Sequence, residues 1–224
     1  MPLVQTRGAA SAKGFGEFAQ AATAVTYIED VFSTYLYTGT GASQTITNGI
    51  DLSGKGGLTW IKGRSGATDH ALYDTARGAT FDLVSNSTAA QTTQATGLTA
   101  FGSTGFSIGA LAKLNTSAAT YASWTFRKQP KFFDVVTWTG TGANRTIAHA
   151  LGSVPGTIIV KRTDTTADWA VYHRSLANTQ YLVLNTTAAT ATGATYWNST
   201  TPTSSVFSVG TNASVNASGG TYVA

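Results

Sequence analysis

Asp69-His70 and Asp74 come closest, in this 224-residue chain, to a set of groups that could move a proton. An imidazole titrates near neutrality, and a carboxylate beside it could orient the ring. The other two histidines, His149 and His173, stand apart, and neither HExxH nor GxSxG occurs. About a hundred residues on, the same skeleton returns with Trp169 in the place of His70 and His173 in the place of Asp74. A half-buried aromatic and a strand-end polar residue account for those slots without chemistry. Asp69 and Asp168 keep their place in both copies, each after a Gly/Ser/Thr loop and before a strand. An Asx-turn explains such a carboxylate. A calcium site would need further clustered oxygens, and no DxDxDG-like run supplies them.

Glycoside cleavage needs two carboxyl groups facing each other across ~5–9 Å. Only Glu17 and Glu29 are glutamates, both outside the repeated part. The loop TGTGAS at 38–43 follows a strand but opens no helix, so it reads as a turn and not as a phosphate cradle. No catalytic residue, metal ligand or cofactor is assigned, and the chain is expected not to be an enzyme. Binding is the better prospect. Tyr196-Trp197-Asn198 sits in a Thr/Ser/Gly-rich connection where the first copy has Ala95-Thr96-Gly97. Such rings can stack on a sugar or anchor a protein partner. Alternatively both tuck under the loop as a small satellite core.

The elements that must carry these residues are strands. VFSTYLY (31–37), HALYD (70–74) and TFDLV (80–84) alternate as half-buried strands do, and LTWIK (58–62) is apolar enough for the middle of a sheet. Asn48-Gly49 carries a hairpin signal. GLTWIKGRSGATDHALYDTARGA (57–79) is echoed by GTIIVKRTDTTADWAVYHRS (156–175), LVSNSTAA (83–90) by LVLNTTAA (182–189), and FSIG (106–109) by FSVG (207–210). The offset drifts only between 99 and 101, so length changes belong to loops. The reading is all-β: two tandem antiparallel β-sandwich repeats, 27–128 and 132–224, behind an irregular N-terminal segment, 1–26. Pro130 ends a strand and leaves a short, stiff joint at 127–131. Ser123-Trp124-Thr125-Phe126 has no counterpart after Val223-Ala224, so the last strand of the second repeat is expected to be truncated.

Charged residues make up only 11% of the chain against 42% hydrophobic, so the surface is built of Thr, Ser, Asn, Gly and Ala. The net charge of +4 is scattered, the densest group being Arg127, Lys128 and Lys131, and gives no basic stripe for nucleic acid. No run is long and apolar enough to enter a membrane as a helix, no signal-peptide core opens the chain, and there is no cysteine.

The segments LTWIKGRSGATDHALYDTARGA, LVSNSTAA, FSIG, TYASWTFRK and WAVYHRSL resemble a repeat of bacteriophage virion proteins, mostly tail-fibre or tail-associated. The similarity covers 27–224, and VQTRGAASAKGFG is similar to leader segments that attach phage tail proteins to the particle. The resemblance implies a jelly-roll or lectin-like sandwich for each repeat and a structural role in the virion tail after synthesis in the host cytoplasm. It implies a leader that anchors through Arg7, Lys13, Phe15 and Phe18, other tail or neck proteins as partners, self-association as a homotrimer, and host-surface glycan as a contact. A capsid decoration or head-fibre protein is the alternative, and a glycan-cleaving tailspike a weaker one.

Overall fold

The computed structural model describes residues 26–224, and the chain is all-β. The leader residues Arg7, Lys13, Phe15 and Phe18 lie outside the described residues. In the first half, β1 (Phe32–Thr38), β9 (Thr120–Arg127), β3 (Gly57–Gly63) and β4 (Ala71–Asp74) form a four-stranded sheet in that spatial order. A second sheet is made of β2 (Gln44–Thr47), β8 (Gly105–Ile108) and β7 (Leu98–Phe101), with β5 (Phe81–Asp82) and β6 (Thr92–Thr93) as a short ribbon. Every pairing is antiparallel. Tyr37, Ile61, Tyr73 and Tyr121 from one sheet meet Ile46, Leu98, Phe106 and Ile108 from the other in a closed core.

In the second half, β10 (Thr137–Thr139), β17 (Thr221–Val223), β12 (Thr157–Arg162) and β13 (Ala170–His173) repeat that order, extended by β14 (Gln180–Val183) and β15 (Ala191–Thr192). β11 (Arg145–Ala148) and β16 (Val206–Val209) cover them, around Trp138, Val160, Tyr172, Phe207 and Tyr222. LTWIK does lie in mid-sheet, between β9 and β4. Asn48-Gly49 makes no hairpin: β2 pairs with the distant β8, and Asn48 Nδ2 donates to Thr125 Oγ1 at 2.8 Å.

Each half is pinned by a buried asparagine at the end of a one-turn helix, α1 (Ala112–Asn115) or α3 (Ala213–Asn216). Asn115 Nδ2 donates to the carbonyls of Ala42 and Gly109 at 2.5 and 2.8 Å, and its Oδ1 accepts from Thr40 N at 2.8 Å. Asn216 does the same to Ala143, Gly210 and Thr141, at 2.6, 2.9 and 3.0 Å. The turn TGTG is thereby tied to the far end of its half. Gly39 and Gly140 fit because a Cβ there would come within 2.2 Å of the carbonyl oxygens of Thr116 and Ala217. Tyr121 and Tyr222 add a second tie. Each hydroxyl accepts a backbone N–H, from Thr116 or Ala217, and donates to a carbonyl, of Ala112 or Ala213.

The halves are joined by more than the 127–131 connection. Leu72 and Leu83 of the first half and Trp169 and Val223 of the second enclose a third core with Val135 between them. Leu83 therefore faces this shared core and not that of its own half. Alongside, the loop 84–91 of the first half lies on the second. Trp169 Nε1 donates to the carbonyls of Val84 and Ser87, both at 3.1 Å, and the Lys161 ammonium to that of Thr88 at 2.9 Å. Ala167 N donates to Thr88 O, and Gln91 N to Thr163 O, each at 2.9 Å.

Leaving a buried donor or acceptor unmatched costs about 1–3 kcal/mol per group. Asn115→Ala and Asn216→Ala each remove three hydrogen bonds and strand the buried carbonyl of Gly109 or Gly210, so each is expected to lower unfolding free energy by about 1–3 kcal/mol, measured by urea titration. A loss below about 1 kcal/mol would show that the turn does not depend on the pin.

Candidate functional site

Where the shared core opens to solvent it becomes a cleft of roughly 500 Å³, within the usual size range of ligand pockets. Alternation along the paired strands puts Leu58, Trp60, Leu72 and Phe126 on one face, and these residues form its floor. The connection supplies Phe132, Phe133 and Val135, and Val154, Pro155, Ile159 and Leu184 line the other side. Phe126 packs on Phe133 and Phe132 with ring centroids 5.3 and 6.4 Å apart.

Apart from the exposed Lys131, whose ammonium meets no partner among the described residues, the charged groups of the cleft are committed to the framework. Asp74 accepts from the backbone N–H groups of Ala76 and Arg77 and from Arg77 Nε at 2.5 Å. Arg77 donates further to the Phe81 and Leu72 carbonyls and to Gln91 Oε1. Asp134 pairs with Lys128 at 2.9 Å and accepts from Ala150 N at 2.7 Å. His149 is different. Its Nδ1 accepts from Leu151 N at 3.3 Å, so the neutral ring carries its proton on Nε2, which is buried with no partner among the described residues. The cleft thus offers apolar surface, defined shape, the Lys131 ammonium and one spare imidazole donor. It brings no acid and base together.

The groups considered for chemistry are dispersed. His70 Nδ1 accepts from Trp60 Nε1 at 2.8 Å, while Asp74 turns to Arg77, so the Asp–His–Asp arrangement does not assemble. Burial, and then the Lys62 charge, push the His70 pKa down. Asp69 and Asp168 make no Asx-turn. Each accepts from an asparagine amide seventeen residues on, Asn86 at 2.8 Å and Asn185 at 2.9 Å, and each asparagine accepts the backbone N–H of His70 or Trp169. His173 Nδ1 accepts from Ser175 N. No cluster of three or more metal-ligating side chains occurs among the described residues.

The Tyr196-Trp197-Asn198 contact needs correcting. Trp197 is only 1% exposed, sits in the second core edge-on to Tyr172, and donates Nε1 to Gln180 O at 3.1 Å. The bond Gly210 N to Tyr196 O matches Gly109 N to Gly97 O, which puts Trp197 in the slot of the buried Leu98. The match of Tyr196 to Ala95 is two residues out of step, since Tyr196 stands where Gly97 does. Tyr196 stacks on Tyr181 at 3.8 Å between centroids, and burial followed by Tyr181 pushes its pKa up to about 12. Asn198 is half-buried with φ +50° in the turn that closes α2 (Ala194–Trp197).

Lys161 carried no sequence signal beyond its match to Lys62. Its side chain is fully buried and donates to the Thr88 and Ala167 carbonyls, and burial lowers its pKa from 10.5 to about 8. Asn115 and Asn216 could have been found, since LNTSAATY and VNASGGTY align on them.

Truncating a buried tryptophan costs about 3–5 kcal/mol. Trp197→Ala is expected to lose that much in a urea titration, and a loss under about 1 kcal/mol would put the ring at the surface after all. For Lys161 the unfolded chain holds the extra proton between pH 8 and 10.5, so raising pH through that window favours the folded state. The denaturation midpoint of the wild type, relative to that of Lys161→Met, is expected to climb from pH 8 to pH 10. A flat difference would mean that the amine is not desolvated.

The family described as "Domain of unknown function (DUF7483)" matches residues 28–224, one continuous span across both halves. No curated protein and no solved structure matches the chain significantly. With nearly all of its length inside that match, the chain belongs to the DUF7483 family.

Proposed function

We propose that this protein is a non-catalytic structural component of a bacteriophage virion, a tail fibre or fibre adaptor that contributes to host-surface attachment. In this reading each half is a jelly-roll or lectin-like sandwich. The segment 1–26 anchors the chain to tail or neck proteins through Arg7, Lys13, Phe15 and Phe18, and copies assemble as a homotrimer. Particles form in the host cytoplasm, and the protein ends in the tail. The observation that carries the reading is the third core, where Leu72, Leu83, Val135, Trp169 and Val223 weld two equivalently built halves into one stiff body. A stiff body of paired modules suits a spacer that transmits position, and weak contacts on several copies add through effective concentration.

The commitment of buried charge to framework bonds supports the same role. Asp74–Arg77, Asp82–Lys113 and Asp134–Lys128 are ion pairs in which at least one partner is almost wholly buried. The half-buried Tyr196 and Asn198 and the cleft rim remain the surfaces for a glycan or protein contact.

Mass spectrometry of purified particles, separated into heads and tails, tests the proposal. The protein is expected in the tail fraction, and full-length chain is expected to join particles where a chain lacking residues 1–20 folds but does not. Recovery with heads would favour a capsid decoration or head-fibre role. Absence from particles, or release of oligosaccharides from host glycan by the purified protein, would overturn it.

A further inference from the structure

We propose that copies of this chain join head to tail, the loop 183–190 of one copy seating on the surface around Lys62, Arg64, Thr68 and His70 of the next. The template for the contact lies within the chain. Loop 84–91 already docks on Lys161, Thr163, Ala167 and Trp169 through five hydrogen bonds. Both members of that contact occur twice, and each has one copy left over.

The spare loop is built like the docked one. Val84-Ser85-Asn86-Ser87-Thr88-Ala89-Ala90 corresponds to Val183-Leu184-Asn185-Thr186-Thr187-Ala188-Ala189 without insertion. Asn86 and Asn185 fasten the two loops to Asp69 and Asp168 alike. Ala89 N donates to Ser87 Oγ at 3.1 Å, and Ala188 N to Thr186 Oγ1 at 3.3 Å. Their surroundings differ. Residues 186–190 are exposed, the Thr186 and Thr187 carbonyls and the Thr190 N–H meet no partner among the described residues, and Leu184 is 37% exposed where Ser85 is 3% exposed.

The spare seat matches the occupied one in the same way. Lys62–His70 and Lys161–Trp169 are loops of equal length on equivalent strands, and Arg64 N to Thr120 O at 2.7 Å repeats Thr163 N to Thr221 O at 2.8 Å. The Arg64 carbonyl and Thr68 N–H stand where the Thr163 carbonyl and Ala167 N–H are engaged, and are themselves unpaired among the described residues. Lys62 Nζ donates to Gly63 O and Thr68 Oγ1, leaving a third N–H. His70 replaces Trp169. With Nδ1 occupied by Trp60, the neutral ring offers Nε2–H, as the indole offers Nε1–H.

Loop and seat are different surfaces on opposite halves, so the contact is heterologous and a second copy can extend it, into a closed ring or an open row. The inference stands on this internal duplication and holds whether or not the protein belongs to a virion.

The absence of cysteine lets introduced thiols report on the contact alone. Ala167 N and Thr88 O are 2.9 Å apart within the chain, so backbone separation there suits a disulfide. Thr68→Cys and Thr187→Cys, made as two separate full-length variants and mixed under mild oxidation, are expected to give a covalent heterodimer. It should form in excess of either homodimer and at a rate that falls on dilution. Sedimentation of the wild type should show concentration-dependent association that Thr187→Lys weakens by setting an ammonium against Lys62 and Arg64. Homodimers in excess would indicate a two-fold contact and overturn the proposal. A wild type that sediments as a monomer at every concentration, with no heterodimer formed, would overturn it equally.

Discussion

A sheet that is apolar on both faces has to be covered on both, and the architecture of this chain answers that demand. In the first half, alternation along β3 and β9 turns Ile61 and Tyr121 inward and leaves Leu58, Trp60, Trp124 and Phe126 on the outer face. Polar residues would normally stand there in a two-sheet fold with one wet face. The second half and the connection cover most of that face, which explains why the halves meet in a core and not merely through a tether. Where the cover is incomplete, the cleft remains. Its position follows from the same excess of apolar surface.

With so few charges, the chain holds its turns with buried polar side chains that reach backbone donors and acceptors. Asn115, Asn216, Tyr121 and Tyr222 reach backbone groups that no strand ladder could serve. Lys161 shows the strength of the requirement. A desolvated ammonium is costly, yet Lys161 is held where its ammonium meets the Ala167 carbonyl of its own half and the Thr88 carbonyl arriving from the other. Buried polar groups of this kind specify an arrangement more than they add stability, because any displaced alternative leaves them unmatched.

Much of this was legible in the sequence because it is local or repeated. The alternation of VFSTYLY, the apolar LTWIK and the doubled TGTG give the β class and the equivalence of the halves, since period and recurrence need no knowledge of contacts. What could not be read was long-range. Asn86 reaching Asp69, Trp60 taking the His70 nitrogen and loop 84–91 lying on the second half depend on which segments fold together. Trp197 was misplaced for a narrower reason. β7 is replaced by the helical turn α2, so a tryptophan in a polar stretch fills the slot of Leu98 while its neighbours look like a loop. Polar surroundings in sequence say little about burial when the chain makes a single turn.

The two halves also show which parts of the module can change. The asparagine pins, the tyrosine ties and the Asp–Asn fasteners occur in both, while the packing behind them differs. In the first half Tyr73, Asp82 and Lys113 form a buried polar group, in which burial raises the pKa of both Tyr73 and Asp82. In the second half the positions of Asp82 and Lys113 hold Tyr181 and Ser214, and Tyr196 stacks on Tyr181. An ion pair and a stack of rings thus occupy equivalent space under the same frame. The frame constrains the backbone and tolerates either chemistry behind it. Sequence is therefore free to vary at the cleft rim and at the exposed loops, where side chains project without holding the frame together.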